Sequence, residues 1–262
     1  MATAPDGGGG AKVLGPEATG PAMRVVTAAP SLTELVLALG AGDRLVGVSR
    51  FDQSPEVSGV ARIGGFNDPS IEAVAALKPD LAIVQKAPSN QKPVEALARL
   101  GVRVLALPLT SVADVEDATV QVGRALGLEA KGRALAAALE KTRAEVRARA
   151  AKRRPVRVLL VVGFSPLVVA GPGSYVDELL QDVGAVNLAL KAPSAYPTYS
   201  EERAVKLAPE VIIDAANVPD GREKLQGLLP GTKWVRVPSF ALLHPGPALG
   251  KALLELEALV SE

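Results

Sequence analysis

The sequence predicts an α/β protein of two Rossmann-like lobes, each with a parallel sheet, joined by one long α-helix. Three observations carry that prediction. A fifteen-residue unit occurs twice without a gap, SIEAVAALKPDLAIV at 70–84 and SEERAVKLAPEVIID at 200–214. Residues 128–154, LEAKGRALAAALEKTRAEVRARAAKRR, hold strong helix formers and no strand signal, and Pro155 ends them. On either side of that stretch, short β-rich runs alternate with helical ones, as a parallel sheet covered by helices requires.

The elements follow in order. Residues 1–23 are rich in Gly, Pro and Ala. They lack a basic stretch followed by an apolar one, so they read as a flexible leader and not as a signal peptide. Met23 stands directly before the first strand as an alternative start. The first lobe, 24–127, begins with RVVTA at 24–28 as strand, SLTELVLALG at 31–40 as helix and RLVGVS at 44–49 as strand. The first copy of the repeat follows, then KPVEALARLG as helix, RVLALP as strand and SVADVEDATVQVGRALG as helix. The connecting helix, 128–154, carries a narrow apolar stripe of Leu128, Leu135, Leu139 and Val146. Its basic end, residues 143–154, suits the helix dipole and reads as a solvated face, with an anionic partner as the other reading. The second lobe, 155–262, opens on VRVLLVVG and LVVAG as strands and SYVDELLQDVGA as helix. The second repeat copy, KWVRVP as strand and GPALGKALLELEALV as helix complete it.

Within the repeat, Ser70 falls on Ser200, Glu72 on Glu202, Leu77 on Leu207, Pro79 on Pro209 and Asp80 on Glu210. Each copy reads as N-cap serine, short helix, proline-acid turn and buried strand. Glu72 and Glu202 therefore head equivalent helices, where acids complement the dipole. Their matched placement also suits a partner with two-fold symmetry.

Composition narrows the function. The chain has 262 residues, 48% hydrophobic, with a net charge of +1, no cysteine and one histidine, His244. Disulfides, thiolate catalysis and zinc-thiolate sites are excluded. The small net charge gives no argument for nucleic acid. One histidine assembles no Ser-His-Asp set and no HExxH-type motif occurs, so no catalytic constellation is present. Gly64-Gly65-Phe66 lacks the G-x-G-x-x-G spacing of a phosphate loop. Ser31-Leu-Thr-Glu34 reads as a capping box at the first helix.

The segments APSLTE, GAGDRLVGV, GGFNDPSIEAVAALKPD and the late HPGP, together with the repeat and the single connector, carry a resemblance. From about Arg24 to the C-terminus the chain resembles the helical-connector class of ABC-importer substrate-binding proteins, the receptors for cobalamin, iron-siderophores and heme. It is most similar to the cobalamin-binding members. The resemblance implies a receptor that binds cobalamin or another corrinoid between its lobes and delivers it to a permease dimer. It implies a monomer outside the cytoplasm, no catalysis and no resident cofactor. An iron-siderophore, and after it heme, is the alternative ligand. A Rossmann-like two-domain enzyme, and a cytoplasmic corrinoid-binding or sensory protein of the same fold, are rival readings. The absent signal peptide favours the cytoplasmic one.

Site residues follow from the same resemblance. Ser31 starts a helix that lines the ligand cleft in the relatives. Arg50 would meet an anionic group of the ligand, or else lies solvated on the surface. Phe66, in the turn with Gly65, matches an aromatic that packs on the ligand, Phe51 matches another cleft aromatic, and Phe164, Tyr196 and Phe240 are expected in cleft-facing loops of the second lobe. Core packing is the alternative account for each aromatic. His244 stands where cobalamin-binding relatives often carry arginine before Pro-Gly-Pro. Gln85 stands near the place of the tyrosine ligand of heme-binding relatives. Glu72 and Glu202 match the glutamates that pair with permease arginines. No residue is expected to bind a resident metal.

Overall fold

The computed structural model describes residues 10–216 and 221–261. The first nine residues of the expected leader lie outside the described residues. By its contacts the chain forms two units, Met1–Ala138 and Leu139–Glu262. Each is described by itself.

The first unit contains β1 (Lys12–Leu14), β2 (Val25–Thr27), α1 (Pro30–Ala38), β3 (Leu45–Val48), β4 (Ala61–Arg62), α2 (Ile71–Ala76), β5 (Leu81–Gln85), α3 (Gln91–Arg99), β6 (Val104–Leu107), α4 (Val112–Ala125) and the first turns of α5 (Glu129–Ala150). The sheet order is β1-β6-β5-β2-β3-β4. All neighbours are parallel except β1 and β6. Strands β2 and β6 are buried along their whole length, and β5 up to its last residue, so they read as unbroken apolar runs.

Two expectations need correction here. Residues 12–14 are not leader but an antiparallel edge strand, with Lys12 opposite Ala106 and Leu14 opposite Val104. They cover the hydrogen-bonding edge that β6 would otherwise present to water, and Leu14 packs on the core beneath. The Ser31–Glu34 capping box does not form either. Helix α1 begins one residue earlier, with Ala29 as N-cap and Pro30 in the first turn. Proline needs no partner for a missing N–H, and its fixed φ suits that position. Ser31 therefore lies inside the first turn, buried.

The second unit holds the rest of α5, then β7 (Val156–Phe164), β8 (Leu167–Val169), α6 (Tyr175–Asp182), β9 (Ala185–Asn187), α7 (Glu201–Leu207), β10 (Val211–Asp214), α8 (Arg222–Leu228), β11 (Lys233–Arg236) and α9 (Leu249–Ser261). Its order is β11-β10-β7-β8, with β9 beside the first half of β7. Only β8 is antiparallel.

Helix α5 is unbroken over 22 residues, about 33 Å. At its start, a Cβ on Gly132 would lie 2.7 Å from the Thr119 carbonyl oxygen, so α4 and α5 meet backbone to backbone. Arg124 and Arg133 grip Glu129 at that corner and hold its carboxyl down to about 2. The basic end of α5 is consumed by ion pairs within the second unit. Arg143 and Arg147 reach the buried Asp182 at 2.6 and 3.1 Å. Arg149 and Arg153 hold Glu257 at 2.7 and 3.0 Å. Arg154 meets Glu210 at 3.0 Å.

The repeat is one device built twice. Ser70 caps α2 by accepting from the Ala73 N–H, and Ser200 caps α7 by accepting from the Arg203 N–H. Lys78 and Ala208, at matching positions, are the two non-glycine residues with positive φ among the described residues, at 47° and 46°. Arg24 donates to the Leu77 and Lys78 carbonyls, and Arg157 donates to the Leu207 carbonyl. Each arginine thus satisfies carbonyls that a helix end leaves open. The next acid closes the loop on the arginine's own backbone. Asp80 accepts from the Arg24 N–H at 3.0 Å and Glu210 from the Arg157 N–H at 3.0 Å.

Candidate functional site

In a parallel sheet the loops leaving the carboxyl ends of the strands are where ligands bind. In the first unit Ser31, Arg50, Phe51, Gly65, Phe66 and Gln85 all stand at or just beyond those ends. Ser31 follows β2, Arg50 and Phe51 follow β3, and Gln85 ends β5. The turn with Gly65 and Phe66 joins them by hydrogen bonds. The Arg50 N–H donates to the Gly64 carbonyl at 2.8 Å. The buried Asn90 amide donates to the Phe66 and Gln85 carbonyls at 2.9 and 2.7 Å.

Arg50, Phe51 and Asp68 form one exposed patch over Gly65. The Arg50 guanidinium donates to both Asp68 oxygens, at 3.0 and 2.9 Å, and lies 5.0 Å from the centre of the Phe51 ring. Phe51 is 54% exposed. A Cβ on Gly65 would stand 2.9 Å from Phe51 and 2.7 Å from Asp68 Oδ1. Glycine is therefore required for the ring and the carboxylate to lie down on this turn. Of the two readings of Arg50, the structure shows it ion-paired on the surface.

Near the patch lies a polar network that carries no sequence signal. The Thr27 and Thr33 hydroxyls are 2.6 Å apart. Thr33 also stands beside the buried Asp52, whose Oδ2 has no hydrogen-bond partner among the described residues. Burial pushes the Asp52 carboxyl up, against the pull of Thr33, Arg62 and the Ser49 backbone.

In the second unit Tyr196 lies in a loop, but Phe240 and Phe164 do not: Phe240 opens a short 3-10 helix, Phe240–Leu243, capped by Ser239, and His244 follows as its C-cap. Phe164 is the last residue of β7, 7% exposed, with its ring 6.3 Å from that of Trp234. The β7–β8 turn folds back antiparallel, which drives this ring into the core. Phe240 is exposed and stacks on His244 at 6.5 Å. Tyr196 sits on a segment laid along β8, through Val169 N–H to the Pro197 carbonyl and Gly171 N–H to the Ala195 carbonyl. Its hydroxyl meets Tyr175 and Ser174, and burial raises the pKa of both phenols. Tyr196 as a whole is 42% exposed.

One charged cluster at these strand ends was not foreseen. Asp214 ends β10 fully buried, and Arg222 and Arg236 both bond its Oδ2. Nothing in the sequence links residues 214, 222 and 236; only the parallel pairing of β10 with β11 sets Asp214 beside Arg236.

Glu72 and Glu202 stand apart from these groups, in the first turns of α2 and α7. Both are exposed. Neither makes an ion pair among the described residues.

Comparison with known proteins places this geometry. The chain is 30% identical over 195 residues to the vitamin B12-binding protein of Salmonella paratyphi A, covering 74% of this chain and 73% of that one. It is 27% identical to the vitamin B12-binding protein of Yersinia pseudotuberculosis over 73% of this chain and 69% of the relative. Among solved structures, the periplasmic vitamin B12-binding protein BtuF of Vibrio cholerae shares the fold, with a TM-score of 0.80 at 23% identity over 92% of this chain and 97% of that one. A periplasmic heme-binding protein of Pseudomonas aeruginosa superposes with a TM-score of 0.78 at 28% identity, over 90% and 92% of the two chains. The periplasmic binding protein family matches residues 25–234, from β2 into β11, and the chain belongs to that family.

Proposed function

We propose that the protein is the receptor of an ABC importer, binding cobalamin or a related corrinoid and handing it to the permease. The observation that carries this reading is the 30% identity to a vitamin B12-binding protein over 74% of the chain. The site agrees with it. Phe51, Phe66, Tyr196 and Phe240 offer aromatic surface at strand ends, and such surface suits a broad, largely apolar macrocycle. Arg50, Gln85 and His244 supply polar groups beside it, and Ser31 and Gly65 shape the turns they stand on. Phe164 acts from behind, by fixing the β7 end. The cargo is the metal-chelate itself, and the protein holds no cofactor of its own. Glu72 and Glu202 are the groups that meet the permease, one from each unit.

A heme or ferric-siderophore cargo is the second reading, favoured by the 28% identity to the heme-binding protein of Pseudomonas aeruginosa. Absorbance titration of the protein with cyanocobalamin, hemin and ferric siderophores separates the two. A dissociation constant in the micromolar range or tighter for cyanocobalamin, about −8 kcal/mol or better, is expected. It should weaken in Phe66→Ala and in Tyr196→Ala. Absence of any spectral or calorimetric change with corrinoids, alongside saturable binding of hemin or a siderophore, overturns the first reading in favour of the second.

A further inference from the structure

We infer that Arg222 and Arg236 form an oxyanion subsite at the carboxyl edge of the second unit's sheet, taking a phosphate or carboxylate of the carried chelate. The inference rests on the receptor reading for its ligand, but its geometry stands alone.

Asp214 is 0% exposed, and a buried carboxylate needs a cation to neutralise it. One arginine would suffice. Here two share one oxygen: Arg222 Nη1 is 2.8 Å from Asp214 Oδ2, and Arg236 Nε and Nη2 are each 3.1 Å from it. The other oxygen, Oδ1, accepts from the Ala216 N–H at 3.0 Å. Asp214 is thus fully bonded, and the trio carries one positive charge in excess. A guanidinium has five N–H donors in a fixed plane. Asp214 uses Nη1 of Arg222 and Nε and Nη2 of Arg236, which leaves further donors on each among the described residues. The Arg236 side chain is 54% exposed, so those donors are open to an incoming oxyanion.

The pair is also held rigid, as a recognition site requires. Arg222 lies 5.7 Å from the centre of the Trp234 ring, and Trp234 packs against Phe164. A Cβ on Gly221 would stand 3.1 Å from the Phe164 carbonyl oxygen, which sets the start of α8 directly on the end of β7. The arginines therefore stand at the carboxyl ends of β7, β10 and β11. Arg50 in the first unit offers no such surplus, because Asp68 matches it one to one. A planar guanidinium pair binds phosphate and carboxylate in the same way. The two sources differ in the chelate: cobalamin carries one phosphodiester, cobinamide lacks it, and heme carries two carboxylates.

The test measures dissociation constants of wild type and Arg236→Gln for cyanocobalamin, dicyanocobinamide and hemin at two salt concentrations. Arg222 remains to neutralise Asp214 in this variant, and a thermal melt checks its fold. The expected result is a loss of about tenfold for cyanocobalamin, the scale of one charge-assisted hydrogen bond. Dicyanocobinamide should change less than about twofold, and the salt dependence of cyanocobalamin binding should flatten. Equal losses for both corrinoids, or no loss for either, overturn the subsite while the corrinoid reading stands. If wild type binds hemin and neither corrinoid, the corrinoid reading falls and hemin decides the subsite. A loss of hemin affinity in Arg236→Gln then upholds it, and unchanged affinity overturns it. Binding of none of the three overturns both. Should Arg236→Gln not melt cooperatively, Arg236→Lys keeps the charge and loses the fork; its affinity losses are read in the same way, with the salt dependence unchanged.

Discussion

Gly65→Ala separates the proposed ligand wall of the first unit from its stability. A methyl at Gly65 would stand 2.7 Å from Asp68 Oδ1, 2.9 Å from Phe51 Cε2 and 3.2 Å from Arg50 Nη2. All three are far ends of side chains, with Arg50 and Asp68 49% and 60% exposed, so they can swing away. Gly65 is not among the glycines with positive φ, so alanine brings no backbone strain. Breaking the exposed Arg50–Asp68 pair costs about 0–1 kcal/mol. Loss of glycine's freedom in the unfolded chain returns about 0.4–1 kcal/mol. The melting temperature should therefore move by less than about 4 °C. Ligand affinity should not be spared. Phe51 must lift off the turn, and a displaced aromatic contact is worth about 0.5–1.5 kcal/mol, or roughly a two- to twelvefold weaker dissociation constant. Cyanocobalamin titration beside a circular-dichroism melt reads both quantities. Wild-type affinity with an unchanged melt would show that the Arg50–Phe51–Asp68 patch is no part of the ligand wall. A melt lowered by more than about 10 °C would show that these side chains do not yield.

Three further outcomes follow from the same structure. Burial raises the Asp52 carboxyl above its ordinary value of 3.8, so the folded state keeps its proton to higher pH than the unfolded state and stability falls as pH climbs above that value. Asp52→Asn removes this dependence. The difference in melting temperature, variant minus wild type, should grow between about pH 4 and about pH 7, and a constant difference would refute the assignment. Asp182→Ala strips the partner at 2.6 Å from Arg143, whose side chain is 13% exposed, leaving Glu178 and Glu140 at 3.5 and 3.6 Å. Breaking a buried pair costs about 3–5 kcal/mol, and the remaining acids bring this to the lower end. A melting temperature lowered by about 10 °C is expected, and a shift under about 3 °C would show that those acids suffice. The double variant Glu72→Ala with Glu202→Ala should keep cobalamin affinity and lose importer-dependent uptake, most at low salt, because exposed ion pairs are screened. Wild-type uptake at both low and physiological salt would reduce the glutamates to helix-dipole partners.

What the sequence disclosed and what it hid divide by the range of the interaction. Caps and turns are local, so Ser70 and Ser200 could be placed from the repeat alone. A local misreading, Ser31–Glu34, came from a competing local rule: Pro30 at the helix start outweighs a serine one position later. Strand β1 was hidden because three residues, KVL, show no period, and their reason to be extended is the distant edge of β6. Phe164 sits at a strand end, where alternation no longer predicts which way a side chain faces. Asp52 with Thr33, and Asp214 with Arg222 and Arg236, are contacts that exist only once the strands are paired.

The repeat shows how similar local structures arise from different residues. Asp80 and Glu210 differ by a methylene, yet each accepts the backbone N–H of an arginine within one residue of the start of the neighbouring strand. Lys78 and Ala208 share no chemistry, yet both hold the left-handed conformation, which costs a side-chain-bearing residue about 1–2 kcal/mol. Helices of six and seven residues do not hold themselves in water. What fixes α2 and α7 is a serine at one end and an arginine from the adjacent strand at the other. The direction of each helix is therefore tied to its sheet through Arg24 or Arg157, independently of the residues on its exposed face. Glu72 and Glu202 are presented by matched scaffolds, and the surface around them can change without altering how they are held.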